Sequence, residues 1–329
     1  MNRSLFSRGG LGAALSDRAT LFAFVLFVLL GGSNAVAIRF SNLELPPFWG
    51  AAIRFTAAAL IFWIIVLGRR IALPKGRALF GTLLYGVIAV GASYAFAYWA
   101  LVRVQAGLAS AFLAFVPLVT LFLAFAHGLE TLSWRRLIGA LVAVAGILTI
   151  VGGGLGTALP LPTVLALLAA VVCMSEGGVV FKLLPRGDPA ATNAVALTTG
   201  ALMLAGLSLL AGEKWSLPTA ANTWAAFTYL VVIGSVMVFY LYLFVLARWP
   251  ASTTAYGFVL LPVVSVAISA WLTGEVVTAS FAMGTVVVLL GVWVSALRLT
   301  TRDRFWARTN GRLCHLLAST QARCTMPTG

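Results

Sequence analysis

Ten apolar stretches recur along the chain between Thr20 and Leu297, each about 20 residues long, the length at which a helix crosses the hydrocarbon core of a bilayer. Only helices and closed barrels satisfy their own backbone hydrogen bonds inside lipid. Of the 329 residues, 61% are hydrophobic and 9% are charged, so a water-soluble fold cannot cover this much apolar surface. The stretches therefore predict an all-α integral membrane protein.

The ten stretches also predict the orientation of the chain. The spans are 20–38, 48–67, 79–101, 105–126, 134–152, 160–181, 190–211, 223–246, 251–272 and 279–297. The segments on the side of the N-terminus hold 18 Lys and Arg residues, and the opposite loops hold three, namely Arg39, Arg103 and Lys214. Because cytoplasmic loops carry the positive charge, both termini are predicted to be cytoplasmic, and the first span is too long for a cleaved signal peptide. The net charge of +14 then needs no nucleic-acid partner.

The chain resembles itself at an offset of 145 residues. Positions 101–146 match 246–291 without a gap at nine of 46 positions. The rarer matches are Arg103 with Arg248, Pro117 with Pro262, Glu130 with Glu275, Gly139 with Gly284 and Gly146 with Gly291. A duplication predicts two five-helix units, 20–152 and 160–297, with tails 1–19 and 298–329. Because five is odd, the second unit enters the membrane in the opposite sense, and inverted repeats are typical of secondary transporters.

The matched segments carry a family resemblance. The run ALVRVQAGLASAFLAFVPLVTLFLAFAHGLETLSWRRLIGALVAVAG and its echo from Ala247 are similar to the hallmark stretch of EamA-type proteins of the drug/metabolite transporter superfamily. The shared elements are a proline within a span, a Glu before the last helix of each unit, preceded in the second unit by Gly274, and a Gly inside that helix. Gly31, Gly32, Ser33, Asn34 and Arg54 also resemble the first two family helices. The resemblance implies a transporter similar to bacterial amino acid exporters, including the aromatic amino acid type.

Ten residues are candidate substrate contacts, mostly because they combine polar or aromatic groups with membrane depth. They are Ser33, Asn34, Tyr94, Tyr98, Ser110, Pro117, Glu176, Tyr240, Thr254 and Pro262. The two prolines fall near the middle of their predicted spans, where a missing N–H loosens the helix and shapes a cavity. The tyrosines line that cavity or belong to an interfacial belt. We expect helices 1, 3, 4, 6, 8 and 9 to surround it.

Two charged residues inside spans leave alternatives open. Glu176 binds a substrate ammonium, carries a coupling proton, or pairs with Lys182 near the interface. Arg54 meets a carboxylate, snorkels outward, or pairs with Glu176 and so neutralises both charges. Glu130 and Glu275 are interpreted as caps that complement the helix dipole of the last helix of each unit.

The sequence lacks the motifs that are typical of membrane-embedded enzymes. It has no HExxH, P-loop or dinucleotide fingerprint, and its three cysteines, Cys173, Cys314 and Cys324, have no metal-binding spacing. No cofactor or metal is expected. We expect a multi-pass transporter of the bacterial inner membrane that exports amino acids or related small metabolites by alternating access, with protons as a possible driving ion and no required oligomer. The alternatives are a sugar-phosphate or nucleotide-sugar carrier, and a channel or non-transporting scaffold.

Overall fold

A computed structural model describes residues 9–104, 109, 112–151, 160–185, 187–273 and 279–296. Within these residues there are ten helices and no strand, which confirms the predicted all-α membrane fold. The helices are α1 (Gly9–Gly32, continued as Asn34–Ser41), α2 (Pro47–Gly68), α3 (Arg77–Leu101), α4 (Phe112–Ala126), α5 (Trp134–Val151), α6 (Leu161–Leu183), α7 (Pro189–Leu210), α8 (Ala221–Arg248), α9 (Ala251–Thr273) and α10 (Ala279–Ala296). By length and composition, α2, α3, α6, α7 and α8 can each cross a membrane.

Both units carry the same irregularity in their third helix. A π-helical segment interrupts α3 at Gly86–Ala92, and another interrupts α8 at Val232–Met237. Shifted back by the 145-residue offset, the second segment covers 87–92, inside the first. The duplication therefore extends to the backbone, in a structure that is rare and frequently lies at functional sites.

The repeated glycines lie where α5 crosses α10. A Cβ on Gly146 would lie 2.8 Å from the carbonyl oxygen of Gly284, and a Cβ on Gly291 would lie 2.6 Å from that of Gly139. Each contact becomes the other when the matched glycines of the two units are swapped, as is expected for two units related by a two-fold axis. Small residues let membrane helices approach this closely, which explains why these glycines recur.

Arg103 and Arg248 are also equivalent in structure. Arg103 donates to the carbonyl oxygen of Trp99 at 2.6 Å and lies 3.8 Å from the centre of its ring. Arg248 does the same with Phe244, at 2.8 Å and 3.5 Å. Each arginine thus donates back to a carbonyl near the C-terminal end of the third helix of its unit.

The two units are joined through α2 and α7, which pack along each other in the largest apolar cluster. Phe55 and Phe62 of α2, with Leu197 and Leu204 of α7, are at most 1% exposed. Trp63 of α2 donates its indole N–H to the hydroxyl of Thr198 at 3.0 Å. This contact holds the units together at the centre of the fold.

Carboxylates join the units at the loops. Glu130, after α4, pairs with Arg136 at 2.5 Å and accepts from the backbone N–H of Ser252 at 3.1 Å, where α9 begins. Glu130 was expected to cap a helix of its own unit, but its backbone partner lies at the start of a helix of the other unit. Its counterpart Glu275 lies outside the described residues.

Candidate functional site

A cavity of about 170 Å³ lies between the two units. Residues of α1, α3, α4, α6, α8 and α9 line it, together with Arg54 of α2. An engineered apolar cavity of about 150 Å³ in another protein binds benzene, so the space suits one small organic molecule. The six expected helices are present, and α2 is an addition.

The walls of the cavity are mainly apolar and aromatic. The larger apolar side chains in the lining include Phe27, Phe112, Met174, Phe258 and Leu261. The polar side chains among the described lining residues are Asn34, Arg54, Ser93 and Tyr94, and none of the lining residues is acidic. Such a surface favours a molecule with an apolar body and a small polar group.

Close packing of α1 on α9 shapes this space. A Cβ on Gly31 would lie 2.8 Å from Leu261, and one on Gly32 would lie 2.6 Å from Val264. Pro262, inside α9, cannot donate a backbone hydrogen bond and so leaves the carbonyl of Phe258 without its usual helical partner. The glycine pair and the proline therefore lie against each other at the cavity wall.

Most of the cavity lining lies toward one end of the helix bundle. It comes from the C-terminal halves of α1 and α3 and from α4 and the first part of α6, while Val238 of α8 and Phe258 of α9 extend the lining past the middle of the bundle. Two lining residues, Phe27 and Phe258, also belong to an aromatic cluster with Phe24, Tyr242 and Trp249, whose ring centres are 5.2–6.4 Å apart. The cluster fills the space between α1, α8 and α9 and so closes the cavity at that end.

Arg54 is the cation at the cavity wall, and it is only 1% exposed. Its Nε donates to the hydroxyl of Ser235 at 2.8 Å, Nη1 to the hydroxyl of Tyr98 at 3.1 Å, and Nη2 to the carbonyl of Gly234 at 3.0 Å. Two of the alternatives for Arg54, snorkelling outward and pairing with Glu176, were therefore wrong. The neutral groups of α3 and α8 hold the guanidinium inside instead.

Several predicted contact residues gather around Arg54. Asn34 lines the cavity and donates its amide to the carbonyl of Gly234 at 3.2 Å. Tyr94 lines it as well, with its ring centre 5.9 Å from the guanidinium carbon. Tyr98 is buried behind the wall as a partner of Arg54, and Pro262 is in the wall. The sequence thus predicted several neighbours of Arg54, whereas contact of Arg54 itself with a carboxylate was one of three alternatives.

The remaining candidates lie away from the cavity. Ser33, at the break in α1, hydrogen-bonds with the hydroxyl of Tyr229 and the carbonyl of Leu30. Thr254 is fully buried and donates to the carbonyl of Pro250 at 3.1 Å. Tyr240 is 40% exposed on the outer surface of α8.

Pro117 and Ser110 complete the set. Pro117 is buried at the second residue of the α-helical part of α4, after a 3₁₀ turn at Phe112–Phe115, and so starts a helix where mid-helix loosening was expected. It does not line the cavity. Ser110 lies outside the described residues.

Glu176 pairs with His127. Its Oε1 lies 3.3 Å from Nε2 of the imidazole, and the two side chains are 23% and 36% exposed. Its other oxygen, Oε2, is buried without a hydrogen-bond partner in the part of the chain that the structure describes. The carboxylate is outside the cavity lining, so the structure places it apart from the cavity group of Arg54 and Asn34. Within the described ranges, no three His, Cys, Asp or Glu side chains are grouped as a metal site would require.

Known proteins resemble this chain over most of its length. The model of the EamA-like transporter family matches residues 18–152 and 161–297. The uncharacterized inner membrane transporter YedA of Escherichia coli K12 is 27% identical over 286 residues, covering 86% of this chain and 90% of the relative. A probable amino-acid metabolite efflux pump of Salmonella typhimurium LT2 is 27% identical over 305 residues, covering 88% and 98%.

The fold has a counterpart among solved structures. One crystal structure superposes with a TM-score of 0.71 at 21% identity, covering 85% of this chain and 97% of the other. The two matches to the family model fall on two consecutive parts of this chain, one in each half. The chain is therefore a multi-pass inner membrane transporter and belongs to the EamA-like transporter family.

Proposed function

We propose that the protein exports amino acids or related small metabolites across the bacterial inner membrane by alternating access between its two units. The observation that carries the proposal is the cavity between the units, with apolar and aromatic walls and, among the described lining residues, one buried cation. Its size suits a single small molecule. The Salmonella relative, named as a probable amino-acid metabolite efflux pump, supports the same class of substrate.

The distribution of charge supports an orientation of the chain in the membrane. With both termini in the cytoplasm, the loops after α1, α3 and α5 are periplasmic. Most of the cavity then lies toward the periplasm, while the aromatic cluster at its other end and the Glu130–Ser252 contact close the cytoplasmic side. Export requires these two contacts to separate so that substrate enters from the cytoplasm. When these cytoplasmic contacts separate, contacts on the periplasmic side of the cavity form, as alternating access requires.

The rival functions fit the cavity less well. A phosphate or a nucleotide sugar carries two or more negative charges, whereas Arg54 is the one cation among the described lining residues. A scaffold has no need for a cavity between two duplicated units. A channel conducts without exchange, so counterflow in vesicles separates it from a carrier.

Transport is tested with purified protein in liposomes loaded with radiolabelled amino acids and amphipathic metabolites. We expect efflux above that of protein-free liposomes for at least one compound, and acceleration by unlabelled compound outside. Leu113→Trp fills the cavity and should abolish this flux, whereas Leu202→Trp makes the same change at a site 69% exposed on the outer surface. Background flux for every compound, or equal flux in both variants, contradicts the proposal.

Protons are the candidate driving ion, and the Glu176–His127 pair is the candidate site. An imposed pH gradient should then change the steady-state distribution of substrate in wild-type liposomes and leave it unchanged in Glu176→Gln. Flux that ignores the gradient in the wild type assigns facilitated diffusion instead.

A further inference from the structure

The guanidinium of Arg54 is buried with only neutral partners. Its three hydrogen bonds go to two hydroxyls and one backbone carbonyl. A guanidinium has five N–H donors, so two remain free of the protein hydrogen bonds seen in the described residues. The three hydrogen bonds hold the guanidinium in place, and its two remaining N–H groups can donate to a ligand.

No carboxylate of the described residues neutralises Arg54. Glu176 faces His127, and Glu130 faces Arg136. Glu44 and Glu213 accept backbone N–H groups at the starts of α8 and α2. A buried charge without a counter-charge is costly, and a bound anion removes that cost.

The backbone of α8 makes the arrangement possible. Gly234 lies in the π-helical segment, and its carbonyl accepts from both Arg54 and Asn34. A Cβ at this position would lie 2.2 Å from Oδ1 of Asn34 and 3.2 Å from Nη2 of Arg54. Glycine is thus required for the two polar side chains to meet at the cavity wall.

We propose that Arg54 binds a carboxylate of the transported molecule, and that the cargo is a monocarboxylate with a compact apolar or aromatic body. This rests on the proposed function and specifies its substrate class. The one positive charge among the described lining residues matches the one negative charge of a carboxylate. A carboxylate can also accept two parallel hydrogen bonds from a guanidinium. Phe112, Phe258 and Leu261 contact the body. An ammonium group has no acidic partner among the described lining residues, so it is not required for binding.

Binding by the detergent-solubilised protein tests this with matched pairs of compounds. The pairs are L-phenylalanine with L-phenylalaninamide, L-leucine with L-leucinamide, and 3-phenylpropanoate with 3-phenylpropanamide. We expect the acid of at least one pair to bind roughly ten- to a hundredfold more tightly than its amide, as hydrogen bonds to a charged group imply. Equal binding of acid and amide in every pair, or no binding of any acid, overturns the proposal.

Variants assign the preference to the residue. Arg54→Gln should remove the preference for the acid, and Arg54→Lys should keep it with weaker binding because the charge remains. Arg248→Gln is the control, since it removes an exposed arginine stacked on Phe244. Thermal unfolding without ligand monitors folding, and if Arg54→Gln does not fold, loss of the preference in folded Arg54→Lys overturns the proposal, as does an unchanged preference in folded Arg54→Gln.

The two proposals fail separately. If acids bind through Arg54 but liposomes show no flux of any compound, the transport function is wrong and the site stands. If flux occurs for acids and amides alike and survives Arg54→Gln, the carboxylate site is wrong and transport stands.

Discussion

The π-helical segments of α3 and α8 are equivalent in backbone but opposite in chemistry. In the first unit, Gly86 packs against α7, where its Cβ would lie 2.6 Å from the carbonyl oxygen of Ala196. In the second unit, Gly234 faces α2, where its carbonyl accepts from Arg54. Counted from the proline that begins each helix, Arg54 in α2 and Ala196 in α7 are both the eighth residue. The two crossings thus involve equivalent helices of the two units, and Arg54 occupies in the polar crossing the position that Ala196 occupies in the packed one.

Glycine-to-alanine substitutions separate the two crossings, and the larger effect on stability is expected in the first unit. Gly86→Ala should lower the free energy of unfolding by about 3 kcal/mol, the upper end of the cost of overpacking, because the new methyl meets rigid backbone of Ala196. Chemical denaturation in mixed micelles measures this. Gly206→Ala is the control, since a Cβ there has no neighbour within 4 Å. Equal free energies of unfolding for Gly86→Ala and Gly206→Ala would contradict tight packing of α3 on α7 at Gly86.

The same methyl in the second unit should affect transport more than stability. In Gly234→Ala it meets the end of the Asn34 side chain, which can move, and the Asn34 and Arg54 contacts are displaced. We expect a transport rate at least about tenfold lower, equivalent to about 1.4 kcal/mol, with a smaller change in unfolding. Liposome flux and denaturation are measured on the same preparation. Flux at the wild-type level would mean that the polar crossing is structural, as its counterpart is.

The sequence predicted the positions of the helices better than it predicted which face of each helix lines the cavity. Hydropathy and the 145-residue offset located ten helices and the glycines that pack α5 on α10, because lipid and helix contacts impose those patterns. They did not show which side of a helix meets a cavity. The offset pairs Tyr94 with Phe239, which packs against Tyr94 itself, with ring centres 6.0 Å apart. Tyr240 is one residue further, turned by about 100°, and faces outward.

The position of Arg54 was beyond the sequence for a related reason. Hydropathy assigns a cost to an arginine in a span but does not identify the groups that offset it. Those groups are the hydroxyls of Tyr98 and Ser235 and the carbonyl of Gly234, which lie 44 or more positions away in the chain. Only the packing of α2 on α3 and α8 brings them together.

Tyr98→Phe tests whether neutral partners stabilise the charge in the polar crossing. Removing the hydroxyl leaves one more N–H of Arg54 without an acceptor, so the free energy of unfolding should fall by about 1 kcal/mol. Tyr240→Phe removes a hydroxyl at a site 40% exposed and should change it less. Similar values for the two variants would show that the Tyr98 hydroxyl contributes little to holding Arg54.

The smallest expected effect concerns the N-terminal ends of α3 and α8, the two helices that contain π-helical segments. Glu44, in the loop after α1, accepts from the backbone N–H groups of Thr219 and Ala220 just before α8 starts. In contrast, the N-cap residue of α3 is Gly76, which provides no side-chain hydrogen bond. The hydrogen bond from the Thr219 N–H is the main cause that lowers the pKa of Glu44 below its ordinary value, and the Ala220 N–H adds to it. A carboxyl with a lower pKa in the folded state stabilises that state above its unfolded pKa of about 4.3, and the contribution is lost as the pH falls through the folded value. Thermal unfolding of wild type and Glu44→Gln should therefore differ slightly at pH 7 and converge in acid. A constant difference across that range would mean that the Glu44 contact does not depend on its charge.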